Sequence, residues 1–132
     1  MPDVGPFGFE RNDQGQLRSR LTGTAGVAEI EAYLRAVIAN GWFGLPNLID
    51  ARNGITHMHT ADIHRLSALI TRLRQEHGLA RTALVTNNLV LFGMGRMYAA
   101  IAHDGDAGFA VFRDMDEAET WLGGPAQDRM AS

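Results

Sequence analysis

Cysteine is absent from the 132 residues, which excludes disulfide staples, thiol nucleophiles and thiolate metal sites. Lysine is absent as well, so all 12 basic residues are arginine. A phosphate-binding loop of the Gly-Lys-Ser or Gly-Lys-Thr type is thereby excluded, because its lysine is missing. The arginines are scattered and the formal net charge is −3, so there is no footprint for nucleic acid or an anionic membrane surface. Long apolar runs are also missing. Val90 to Ala102, "VLFGMGRMYAAIA", is interrupted by Arg96 and falls short of the roughly 20 residues a helix needs to cross a bilayer. The start, "MPDVGPFGFE", has neither a charged segment nor an apolar core of the secretory kind, and a cytoplasmic protein is expected.

What is present is an ordinary globular composition, 45% hydrophobic and 20% charged, which suits one domain with a sizeable core. The patterns along the chain alternate between strand and helix. Phe7 and Phe9 share one face of a strand, and Leu17, Ser19 and Leu21 share one face of the next. Asn12-Asp13-Gln14-Gly15 supplies the turn between them, a hairpin signature. Val27, Ile30, Leu34, Val37 and Ile38 recur at helical spacing over 25–39, with Thr24 as N-cap and Gly41 just past the end. "NLIDA" reads as a short buried strand running into a loop, "RNGITHMH". A helix over 60–77 carries the stripe Ile63, Leu66, Ile70 and Leu73, with Thr60 as its cap and Gly78 as its stop.

"TALVT" is a further strand, and Asn87 or Asn88 caps a helix over 88–103. "FAVF" is the last strand; Asp114 with Glu117 three residues on resembles a capping box for a final helix ending near Leu122. The order β-β-α-β-α-β-α-β-α predicts a single α/β domain on a mixed five-stranded sheet covered by helices, spanning 1–122, with a flexible tail over 123–132.

Several residues are candidates for function. Gly93-Met94-Gly95 lacks the third glycine of a dinucleotide fingerprint and lies within a helix, so close packing is the simpler reading. Gly95, Ala99 and Ala102, with Met94, form a small-residue side suited to close approach of the sheet or of another subunit. Arg96 sits among apolar neighbours, and a buried guanidinium requires a partner; Asp50 and Asp114 are the candidates. Arg96, Asp50, Asn87, Asn88 and Thr60 also make a candidate ligand site, because open α/β sheets bind ligands at strand ends and helix starts. His57, His59 and His64 are the alternative metal-binding group, set against a solvated histidine-rich loop in which no metal is expected. Ser19, Ser67 and Ser132 lack the elbow a catalytic serine needs.

The element order, with "LIDARNGIT", "RTALVTNNLVLFGMGRMYAAIA" and "FAVFRDMDEAETWL" in sequence, resembles the SpoIIAA-like family over Phe7 to Leu122. That family is related to STAS domains and is compared with the CRAL-TRIO lipid-binding fold. The resemblance implies a SpoIIAA-like fold and a non-catalytic module. STAS antagonists carry an Asp-Ser-Ser-Gly phosphoacceptor where this chain has "HMHTADI", without serine or glycine, so the phosphoswitch does not carry over. The expected function is a binding or regulatory module, without catalytic residues or cofactor, assembling as a homodimer through the apolar helix 88–103. A protein partner or a small apolar or anionic ligand is the further expectation. The alternatives are a small hydrolase or isomerase using the histidine loop, or a carrier of such a ligand.

Overall fold

A computed structural model describes residues 3–78, 80–102 and 108–131, and of residues 102 and 124–131 the backbone alone. Six strands form one mixed sheet: β1 (Asp3–Val4), β2 (Phe7–Arg11), β3 (Leu17–Ala25), β4 (Asn47–Thr56), β5 (Thr82–Val85) and β6 (Phe109–Phe112). Four helices connect or follow them: α1 (Val27–Ala39), α2 (Thr60–His77), α3 (Leu89–Ala102) and α4 (Met115–Ala131). The sixth strand, relative to the five expected, is the two-residue β1, too short to show a periodicity.

Strands β1, β2 and β3 pair antiparallel, whereas β3 to β6 are parallel, and spatial order follows chain order throughout. Each of the three parallel connections therefore steps one strand in the same direction. Such crossovers are right-handed in nearly all proteins, which puts their helices on one face of the sheet. The burial agrees. Leu17, Leu21 and Ala51 join Tyr33, Val37 and Leu91 in one core, whereas Leu48, Ala83 and Val85 alternate to the other face and meet Ala118 and Leu122 of α4. The result is a three-helix layer over the front of the sheet and one helix behind it.

Local signals account for most boundaries. Asn88 caps α3, its side-chain oxygen accepting from the Leu91 amide at 2.9 Å, and Asp114 caps α4 through the Glu117 amide at 3.2 Å. Gly78, at φ 103°, ends α2 in a backbone conformation that glycine favours. Two caps differ from expectation. Thr24 lies inside β3 and Gly26 is the N-cap of α1, its amide held by Glu29 at 2.7 Å. His59, rather than Thr60, is the N-cap of α2, its amide donating to Asp62 at 3.0 Å. In both cases the acidic residue of the first turn takes over the capping that a hydroxyl was expected to perform.

The expected strand "NLIDA" continues through Arg52 to Thr56, so half of the expected loop is strand. Beyond an irregularity between Arg20 and Thr22, Asn53–Thr56 pairs with Thr22–Ala25. Gly54 permits this approach: a Cβ there would lie 2.5 Å from Leu21 Cγ and 2.9 Å from its carbonyl oxygen. Leu122, where the final helix was expected to end, is buried, and the helix backbone continues past it to Ala131.

Gly95 presses α3 onto β5 and β6. A Cβ at this position would lie 3.2 Å from Val111 and 3.4 Å from Leu84, so the close approach is made within the chain. Gly95→Leu should therefore lower the melting temperature, at a cost of about 1–3 kcal/mol from overpacking, without changing the molecular mass in solution. Thermal denaturation together with light scattering checks both parts.

Candidate functional site

Between the sheet and the α1–α3 layer lies a cavity of about 170 Å³. Its wall is mostly aliphatic and aromatic, with Ile30 and Leu34 from α1, Leu66 and Ile70 from α2, and Leu91 and Tyr98 from α3. Strand alternation supplies the floor, because Leu17, Ile49, Thr82, Leu84 and Phe109 all point forward. Gly95, which brings α3 close to β5 and β6, borders this space.

Polar side chains interrupt this lining at Tyr33, Asn47, Thr56, Arg74 and Thr82, and Ser19 stands behind the first two. Ser19 and Tyr33 are each 2% exposed, and their hydroxyls are hydrogen-bonded to each other. Ser19 Oγ also donates to Asn47 Oδ1 at 3.1 Å, and Asn47 Nδ2 donates to the Tyr33 hydroxyl at 2.9 Å. The three form a closed ring, which is how buried hydroxyls and amides avoid the cost of unpaired polar atoms. Burial holds the Tyr33 phenol above its ordinary value, and the bonds with Ser19 and then Asn47 pull the other way. Thr82, also in the lining, stands beside Asn47 in the β4–β5 register. Arg74 continues the inward stripe of α2; it is 8% exposed, and its Nη2 donates to the Gly108 carbonyl at 3.1 Å. Gly108 leaves room for the guanidinium, because a Cβ there would lie 2.5 Å from Arg74 Nη1.

The residues singled out from the sequence lie elsewhere. Arg96 is exposed on α3 and, among the described residues, forms no ion pair with Asp50 or Asp114, which removes the need for a buried partner. Asp50 follows Leu48 on the opposite face of the sheet. There it takes two bonds of 2.9 Å from Arg52, and these hydrogen bonds hold its carboxyl below the usual range despite partial burial. Asn87 and Thr60 are exposed, and Asn88 is occupied as a cap. None of these five lines the cavity, whereas Met94 and Gly95 do. Ala99 is half-buried, and the side chain of Ala102 is outside the described residues. His57, His59 and His64 are exposed; among the described residues no three histidine, aspartate or glutamate side chains are grouped to hold a metal. Ser67 is buried within α2, at 6% exposed.

Sequence reasoning missed Tyr33, Asn47 and Arg74. Tyr33 and Arg74 carried a signal, since each falls on the inward side of its helix, between Ile30 and Val37 and one turn after Ile70. Asn47 carried none beyond its place at the start of an apolar strand.

No protein-family model and no curated protein matches the sequence. A solved structure does match: an uncharacterized protein of the DUF3478 family with a SpoIIAA-like fold, from Shewanella loihica PV-4. The two share 17% identity over 88% of this chain and 91% of the other, with a TM-score of 0.55. This chain has a SpoIIAA-like fold. The SpoIIAA-like arrangement is what places three consecutive helices over one sheet face, and hence what frames the cavity. Among the described residues no helix is long and apolar enough to cross a membrane.

The raised Tyr33 value has a definite sign in stability. A group whose folded value lies above its unfolded one contributes stability below the unfolded value, about pH 10, and loses it as pH rises through the folded value. Tyr33→Phe should flatten the alkaline fall of the urea midpoint above about pH 10. At neutral pH it should cost about 1–3 kcal/mol, because Ser19 and Asn47 each lose a partner.

Proposed function

We propose that this chain is a non-catalytic binding module whose ligand is a small apolar molecule held in the cavity between the sheet and α1–α3. The observation carrying this reading is the cavity itself. A cavity of about 150 Å³ lined by aliphatic and aromatic side chains takes up benzene, so the size class is a single ring or a short chain. The exposed His57, His59 and His64 favour the solvated-loop reading over hydrolysis.

Benzene is the simplest probe. At about ten times its Kd it should stabilise the fold by about 1.4 kcal/mol and raise Tm by several degrees. Ile70→Phe, which occupies part of the space, should reduce the shift. An unchanged Tm in the wild-type chain across the solubility range of benzene overturns the reading.

A second reading, assembly, rests on the outer face of α3. Leu89, Val90 and Met97 are 70%, 64% and 40% exposed, with Arg96 as the charge among them. Apolar side chains grouped on an exposed helix face favour a contact between copies. Gly95 and Met94, expected at that contact, face inward, so the interface would instead use Leu89, Val90 and Met97. Light scattering should give twice the chain mass for the wild type and the single-chain mass for Leu89→Glu/Val90→Glu; a wild-type monomer at high concentration overturns it.

A further inference from the structure

We infer that the cavity selects ligands carrying a neutral oxygen acceptor, a ketone, aldehyde or ester carbonyl, which Asn47 and Thr82 read together. This rests on the cavity being a binding site and adds the chemical class of what it holds. The argument starts from a count of protons. Ser19 and Tyr33 each have one hydroxyl proton and the Asn47 amide has two. Three of the four close the ring: Ser19 to Asn47, Asn47 to Tyr33, and Tyr33 to Ser19. One amide N–H of Asn47 is left over, on a residue that lines the cavity. Exchanging the amide nitrogen and oxygen reverses the direction of the ring, yet it still leaves one N–H unspent. The unspent atom is thus a donor in either arrangement. A donor is answered by an acceptor, so the ligand group that engages it is an acceptor.

Thr82 supplies the second donor. Its hydroxyl makes no hydrogen bond within the described residues and it lines the same cavity. Asn47 and Thr82 are the first residues of β4 and β5 and are paired in register, so their side chains leave the same face on adjacent strands. Adjacent strands lie about 4.8 Å apart. A carbonyl oxygen with lone pairs about 120° apart accepts two bonds of about 2.9 Å from donors spaced about 5 Å, which matches that separation. The Arg74 guanidinium in the same lining donates to the Gly108 carbonyl. Two neutral donors suit a neutral acceptor better than a carboxylate, whose removal from water costs far more.

The test titrates the full chain with three probes of one size: acetophenone, ethylbenzene and benzoate, followed by calorimetry or amide chemical shifts. Acetophenone should bind about fivefold more tightly than ethylbenzene, the factor one net hydrogen bond supplies, and benzoate more weakly than acetophenone. Thr82→Val keeps the approximate shape and leaves the ring intact; it should bring the acetophenone-to-ethylbenzene ratio toward one. Asn47→Leu should do the same if it folds, and Thr82→Val carries the test if it does not. Equal binding of acetophenone and ethylbenzene by the wild type, or a ratio unmoved by the variants, overturns the inference while leaving the cavity as a binding site. Tighter benzoate overturns the neutral acceptor. Binding of none of the three overturns the inference and the binding reading together.

Discussion

Crossover handedness is the constraint on which the molecule depends. Because strand order equals chain order, three right-handed connections have no choice of side, and α1, α2 and α3 accumulate on one face. Three helices cannot all follow a twisted sheet at uniform depth. Close contact is reached where a small residue permits it, as at Gly95 against Val111, and the cavity opens beside that contact. The back face, by contrast, has one helix over β4 to β6, and its core of Leu48, Ala83, Val85, Ala118 and Leu122 is compact.

The same constraint explains the polar ring. Ser19 and Tyr33 are 14 positions apart and Ser19 and Asn47 are 28 apart, and they converge because β3, α1 and β4 form one crossover unit. In this unit the second strand begins beside the first residue of β3, Leu17 pairing with Asn47, and the helix lies across both. Tyr33 can reach the sheet only if its hydroxyl has a partner there, and two are provided. A fully paired ring holds its members in one arrangement.

Much of the fold was legible because it depends on short-range pattern. The alternation of Phe7 with Phe9 and of Leu17 with Ser19 and Leu21 gave the inward face of the hairpin, and the residues found buried there confirm it. Caps at Asn88 and Asp114 and the stop at Gly78 are local chemistry and are where the sequence puts them. The second half of β4 was hidden, since Asn53-Gly54 reads as a turn and becomes strand only against Thr22–Ala25. The site was hidden for a related reason. Arg96 looked buried because its sequence neighbours are apolar, but those neighbours, Leu89, Val90 and Met97, are themselves exposed. The polar atoms that do face the cavity belong to residues far apart in the chain, and no local window contains them.

The two borders of the sheet, finally, bear on how copies of this chain behave in a crowded solution. One border is β1, two residues long, and the other is β6, four residues long. A strand that short offers few unpaired amides and carbonyls for a foreign strand to dock on, and short borders are one of the devices by which natural sheets resist edge-to-edge aggregation. The apolar surface of α3 is a separate matter, because helix faces associate by side-chain packing and close on themselves in pairs rather than propagating.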